Sequence, residues 1–80
     1  MLEGGVEMAV HATPDGIIVK QDPAYRPTAR QRDYGAALAR QIRDLAADAP
    51  SAHSLSKYYS IDTLKSALLA LREGKQVIFA

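Results

Sequence analysis

The sequence has 80 residues, which fits one small domain near the lower limit of what folds alone. Hydrophobic residues make up 48% and charged residues 24%, proportions that exclude an extensively disordered chain. Cysteine is absent, and two histidines are too few for a structural zinc site, so we expect no disulfide, metal or cofactor.

The charge is unevenly distributed, although the net charge is only +1. Residues 1–19 contain three acidic residues and no basic one, and residues 44–80 contain four of each. The basic excess therefore lies in residues 20–43, which carry two acidic residues against Lys20, Arg26, Arg30, Arg32, Arg40 and Arg43.

Targeting and membrane signals do not stand out in the sequence. No apolar run reaches the 18 or so residues of a membrane-spanning helix. The acidic start of the chain lacks the basic and apolar regions of a signal peptide. We therefore expect a cytoplasmic protein without a membrane partner.

The N-terminal part of the chain predicts a β-hairpin. Alternating apolar residues over 6–12 indicate a first strand, and the run 17–19 indicates a second. Between them, Thr13-Pro14-Asp15-Gly16 is typical of a turn, because proline fixes φ and glycine accepts a positive φ. The continuous apolar run of the second strand predicts a central position in the sheet, or burial on both faces.

A long helix is predicted after the loop 21–27. Thr28 and Gln31 form a capping-box pattern, good helix formers continue to about Ala49, and Pro50 ends the segment. Gly35 weakens the second turn or marks a close contact with another helix. The spacing predicts one apolar face, made of Tyr34, Leu38, Ile42, Leu45 and Ala49.

A second amphipathic helix begins after Ser60, its predicted N-cap, and stops near Gly74. Its predicted buried face consists of Ile61, Leu64, Leu68 and Leu71, widened by Ala67 and Leu69. Residues 55–59 before it are ambiguous: they form either an early turn of this helix, capped by Ser54, or a separate helical piece. After it, residues 77–80 predict a β-strand that pairs with the hairpin, and the sequence leaves open whether this pairing is within the chain or with a neighbouring chain.

The predicted order is therefore strand, strand, helix, helix, strand (ββααβ). It indicates a single α+β domain over residues 1–80, with a small sheet in one layer and helices in the other. This order resembles that of KH-type RNA-binding domains. The GxxG loop that those domains need between their helices is replaced here by residues 48–53, so we assign no family.

No pattern of catalytic residues is convincing. His53 stands among Ser51, Ser54 and Ser56, but neighbouring positions in a polar loop do not make a triad, which needs residues oriented across a fold. We therefore expect a protein that is not an enzyme.

Two functions follow as hypotheses. The first is a protein-interaction or assembly module that self-associates or binds a protein partner, because the alanine-rich core is thin and lacks tryptophan. One of Tyr58 and Tyr59 is expected in the core and the other exposed. The expected interface residues are Tyr58, Val77, Ile78 and Phe79.

The alternative is a nucleic-acid or anion-binding domain that uses the basic segment 20–43. Arginine can hold a phosphate with two parallel hydrogen bonds, and the start of a helix favours anions. The residues expected to bind are Arg26, Arg30, Arg32, Arg40 and Arg43. This alternative is less favoured, because nucleic-acid-binding domains usually have a stronger basic excess.

Overall fold

The computed structural model describes residues 9–80. Its strands are β1 (Val10–Ala12), β2 (Gly16–Val19) and β3 (Gln76–Phe79), and its helices are α1 (Ala29–Leu45), α2 (Ala52–Tyr58) and α3 (Ile61–Arg72). The predicted α+β class is confirmed. Residues 6–8 of the predicted first strand lie outside the described residues. No helix within residues 9–80 has both the length and the apolar character needed to cross a membrane.

The sheet has the order β1-β2-β3, with β1 antiparallel and β3 parallel to β2. Val19 of β2 pairs with Val10 and Phe79, while Ile18 pairs with His11 and Ile78. The central position of β2 is thus confirmed. The C-terminal strand pairs with the hairpin of its own chain, which decides a question that the sequence left open.

Gly16 is required for a reason that differs from the prediction. Its peptide N–H donates to the backbone carbonyl of Thr13 at 3.4 Å and to the Thr13 hydroxyl at 3.0 Å, closing the hairpin turn. The expected positive φ at Gly16 is wrong; Gly74 has one, at 78°. A Cβ atom at position 16 would instead lie 1.8 Å from the carbonyl oxygen of Gln76. Glycine is needed here so that β3 can approach β2.

The start of α1 is as predicted, but its end is not. The Thr28 hydroxyl accepts from the Gln31 N–H at 3.1 Å, and the Gln31 side chain accepts from the Thr28 N–H at 2.9 Å. The helix ends at Leu45 rather than near Ala49. The reason is a turn after Leu45, which the Arg43 guanidinium holds by donating to the carbonyl oxygens of Ala49 and Pro50.

The buried face of α1 is rotated relative to the predicted one. Its buried residues are Gly35, Leu38, Ala39 and Ile42. Tyr34 and Leu45 are 48% and 53% exposed, so their assignment to the buried face is wrong. The predicted close contact at Gly35 is present, because a Cβ there would lie 3.4 Å from the Cα and Cβ of Ser56. Gly35 lets α1 approach α2 closely, and the side chain of Tyr34 beside it remains exposed.

The segment before α3 is a separate helix. Ser51 caps α2 by accepting from the Ser54 N–H, so the alternative with Ser54 as the cap is wrong. Ser60 caps α3 as predicted, accepting from the Thr63 N–H at 3.2 Å. Gly74 follows the helix in a left-handed conformation.

The predicted stripe of α3 is largely correct. Leu64, Ala67 and Leu68 are buried, and Ile61 and Leu71 pack against the core from its margin. Leu69 is 58% exposed, so its assignment to this stripe is wrong. It lies about 140° around the helix from Leu64, which turns it away from the sheet.

The helices form one layer against one face of the sheet. Helix α3 contacts β2 and β3, and α1 contacts α2 and α3. The Cα atoms span 16 Å along the shortest axis, which leaves room for one sheet and one layer of helices. The opposite sheet face carries His11, Ile18 and Ile78 in one row.

Tyr59, just after α2, joins the two layers. It is 2% exposed, and its ring packs edge-on against Phe79 with ring centroids 5.9 Å apart. Its hydroxyl donates to the carbonyl oxygen of Ala80 at 3.0 Å. The end of α2 is therefore fixed to β3 by one apolar contact and one hydrogen bond.

The Gly16→Ala substitution should destabilise the fold far more than Gly74→Ala. At position 16 the new methyl group collides with the β3 backbone, so we expect a loss of about 3 kcal/mol or more in the free energy of unfolding. At position 74 nothing lies near the new Cβ, and the loss is only the roughly 1–2 kcal/mol of a left-handed alanine. Urea denaturation measures both; equal losses would contradict the close approach of β3.

Candidate functional site

The structure separates the five arginines of the predicted binding segment. Arg30 and Arg32 point to nearly opposite sides of α1, since two residues turn a helix by about 200°. Arg43 is engaged with the loop after α1, and Arg40 is exposed farther along the helix. Only Arg26 and Arg32 line the same cavity.

We call this cavity the basic cleft. It is lined by residues of the loop 21–27, by Arg32 of α1, and by Lys57 and Tyr58 of α2, and it has a volume of about 480 Å³. The sequence prediction did not include Lys57, because it did not show that the segment carrying this residue lies beside the loop 21–27. Three cationic side chains from three elements thus meet in one cavity, with Asp22 as the carboxylate among its lining residues.

The loop side of the basic cleft is held by backbone hydrogen bonds. The Asp22 N–H donates to the carbonyl oxygen of Tyr58 at 2.9 Å, which ties the loop to the end of α2. The Tyr25 N–H donates to the Asp22 carbonyl oxygen at 3.0 Å. The Asp22 carboxylate accepts from the Ala24 N–H at 2.9 Å, which engages one of its oxygens within the loop. The two walls of the cleft are therefore connected.

The cations of the basic cleft keep donors available. Nη1 of Arg26 donates to the carbonyl oxygens of Pro23 and Tyr25 at 2.9 and 3.1 Å, leaving Nη2 and Nε. The Lys57 ammonium lies 5.4 Å from the centroid of the Tyr58 ring. The ion pair formed within residues 9–80 joins Lys75 to Glu73, and it involves none of the cleft cations. Among residues 9–80, therefore, no ion pair neutralises the positive charge that lines the cleft.

The tyrosines differ in their surroundings. Tyr58 is 42% exposed in the cleft, whereas Tyr59 is in the core, so the expected division between these two residues is confirmed. Tyr25 lines both the basic cleft and a neighbouring cavity that contains Arg30. Its hydroxyl oxygen is buried and has no hydrogen-bond partner among the described residues. Burial raises the pKa of Tyr25.

The predicted interface residues divide into two groups. Tyr58 belongs to the basic cleft, while Val77, Ile78 and Phe79 belong to β3. Val77 and Phe79 pack against the core, and Ile78 is 45% exposed on the opposite sheet face. The structure therefore does not bring Tyr58 together with the strand.

Strand β3 forms one edge of the described sheet, which we call the β3 edge. The N–H groups of Gln76 and Ala80 donate to carbonyl oxygens on the β2 side, at 3.1 and 2.8 Å. Because peptide groups alternate along a strand, those of Val77 and Phe79 point away from β2. Among residues 9–80 no strand pairs with this side of β3, so these are the groups that a further strand would meet.

The serines around His53 serve the local structure. Ser51 accepts from the Ser54 N–H, and the Ser56 hydroxyl donates to the carbonyl oxygen of His53 at 3.0 Å. Within the described part of the chain, no group of three or more histidines and carboxylates is placed to hold a metal ion.

Comparison of the chain with protein-family models, with curated protein sequences and with solved structures gives no match.

Tyr25→Phe and Tyr59→Phe should affect stability in different ways. Removing the unpartnered Tyr25 hydroxyl should leave the free energy of unfolding unchanged or raise it by up to about 1 kcal/mol. Removing the Tyr59 hydroxyl breaks its bond to Ala80 and should lower that free energy by about 1 kcal/mol. Urea denaturation of both variants measures the difference; similar losses would show that the Tyr25 hydroxyl has a partner.

The fold should lose stability at alkaline pH, in part through Tyr59. Burial raises the pKa of Tyr59 above its ordinary value of about 10, and the Gln21 side chain opposes part of that rise. The neutral phenol is therefore favoured in the folded state. Its contribution is complete below pH 10 and is lost as the pH rises through the raised pKa.

The measurement is the free energy of unfolding between neutral pH and pH 11. Tyr59→Phe removes the titrating group and should make this decline shallower than in the unsubstituted chain. Parallel declines would contradict the role of Tyr59.

Proposed function

We propose that this protein is a small interaction module that forms a homodimer through its β3 edge. The observation that carries the proposal is the combination of outward-facing peptide groups at Val77 and Phe79 with the exposed side chain of Ile78. An apolar strand with an open edge is a template for pairing with another strand. In this proposal the protein acts by binding rather than by catalysis.

A second copy is the partner that fits this edge best. A two-fold axis at Ile78 pairs Val77 with Phe79 of the second copy, and these are the residues whose peptide groups point outward. The two Ile78 side chains then face each other at the short Cα separation, about 4.5 Å, of an antiparallel non-hydrogen-bonded pair. The sheets join into one of twice the width.

The dimer also extends an apolar row on the outer sheet face. Ile18 lies beside Ile78 in register, so the joined sheets align four isoleucines across the dimer. This addition is valuable for a small chain whose buried core cluster, within the described residues, has ten residues, three of which are alanines. Association therefore compensates for the limited core of one copy.

Three other predictions remain open: a different protein partner, nucleic-acid binding and the cytoplasmic location. A different protein partner could occupy the same edge through strand addition. Nucleic-acid binding stays the alternative function, and the geometry favours Arg26 and Arg32, which share a cavity, over the three arginines placed elsewhere. The cytoplasmic location also stays a prediction.

The test is the oligomeric state of the Ile78→Lys variant. We expect the unsubstituted chain to be a dimer at micromolar concentration in light scattering coupled to gel filtration. Two lysines facing each other across the axis repel, and the isoleucine contact is lost, so the dissociation constant should rise at least about tenfold. The exposure of Ile78 predicts that the monomer remains folded, which circular dichroism checks.

Leu69→Lys is the matched control. Leu69 is also an exposed apolar residue, but it lies on α3 rather than at the β3 edge, so this variant should remain a dimer. A strictly monomeric unsubstituted chain at micromolar concentration would reject the proposal. Equal dissociation of both variants would indicate that the dimer interface lies outside β3.

A further inference from the structure

The basic cleft is an independent feature of the molecule. It shares no lining residue with the β3 edge, and it has the size and polarity of a small-ligand site. Its volume of about 480 Å³ falls within the roughly 300–1,000 Å³ that is usual for such sites. We propose that this cleft binds a nucleotide, free or within a single strand, through both its phosphate and its base.

The phosphate would be held by Arg26, Arg32 and Lys57. Three positive charges line the cleft against the one negative charge of Asp22, an oxygen of which accepts from the Ala24 N–H. Among the described residues no acceptor engages Nη2 or Nε of Arg26, and guanidinium groups bind phosphate oxygens in pairs. Positive side chains that line one cavity repel one another, and a bound anion relieves that repulsion.

The base would stack on Tyr58. This ring is 42% exposed and lines the same cavity as the cations. Aromatic rings stack on any of the bases, because every base has a π-face. The Lys57 ammonium lies over one face of the Tyr58 ring, 5.4 Å from its centroid. A base stacked on the other face would therefore lie within one nucleotide of a phosphate bound at that ammonium. The cations alone would bind any anion. The exposed Tyr58 ring adds a stacking surface for a base, and this combination favours a nucleotide.

The cleft is also largely pre-formed. The hydrogen bond from the Asp22 N–H to the Tyr58 carbonyl joins the loop wall to the helix wall. Tyr25 lines the loop side of the cleft, and its hydroxyl oxygen is already buried. Binding therefore requires little reordering of the backbone, which reduces the entropic loss on association.

The experiment uses fluorescence anisotropy of labelled, mixed-sequence oligonucleotides of about ten residues, single-stranded and duplex, at low and physiological salt. We expect the single strand to bind more tightly than the duplex, because stacking on Tyr58 needs an unpaired base. Binding should weaken as salt increases, since bound phosphates release counterions. Competition with a mononucleotide and with inorganic phosphate distinguishes the sources of the ligand.

The variants separate the cleft from general surface charge. Arg32→Gln combined with Lys57→Gln should weaken binding at least about tenfold, through lost contacts to phosphate. Arg40→Gln combined with Lys65→Gln also removes two positive charges, but from positions outside the cleft. This variant should change binding by less than about threefold. Tyr58→Leu should weaken single-strand binding about tenfold and leave duplex binding nearly unchanged.

Each outcome decides the proposal. Displacement by the mononucleotide at lower concentration than by phosphate supports a free nucleotide, and binding by the oligonucleotide alone supports a strand. Absence of binding at low salt overturns the proposal. So do equal losses in the two double variants, which indicate unspecific attraction, and an unaffected Tyr58→Leu variant, which indicates recognition of phosphate alone.

Discussion

The parallel pairing of β2 with β3 is the constraint on which the rest of the structure depends. Parallel neighbours require a long connection, and here that connection contains all three helices. Without β3 the described sheet would be a two-stranded hairpin, which is marginal in water even with an apolar face. The pairing also gives α3 two strands to pack against. Helix packing and sheet pairing therefore stabilise each other.

Much of this fold could be predicted because it depends on local chemistry. The capping box at Thr28, the cap at Ser60 and the left-handed Gly74 are decided by neighbouring backbone groups, and all three are present. The hairpin turn is similarly local. The end of α1 is not, because Arg43 stabilises a turn by reaching carbonyl groups of the following loop.

The errors in the helix faces have a common physical cause. Apolar periodicity assigns the buried face of a helix from its large side chains. It therefore predicted that Tyr34 and Leu45 are buried. The packing of α1 instead uses Gly35 and Ala39, whose small size lets neighbouring segments come close. Gly16 shows the same limit in the sheet, since its role depends on a strand far away in the sequence.

The candidate site could be predicted only in part for related reasons. The five arginines are close in sequence, but α1 distributes four of them around its circumference, and of these four only Arg32 lines the same cavity as Arg26 of the loop. Lys57 and Tyr58 join them through tertiary structure. Basic composition thus predicted the kind of side chain in the site, and the fold decided which of them meet.

The two consecutive tyrosines connect the basic cleft to the sheet. Tyr58 lines the cleft, while Tyr59 turns the other way and packs on Phe79 of β3. The Tyr58 carbonyl holds the loop, and the Tyr59 hydroxyl holds the end of the chain at Ala80. The backbone between the two rings is therefore fixed on both sides. The end of α2 that carries Tyr58 is anchored in the core through Tyr59, which contacts Phe79 of β3. The position of the proposed stacking surface therefore depends on the pairing of β3 with β2.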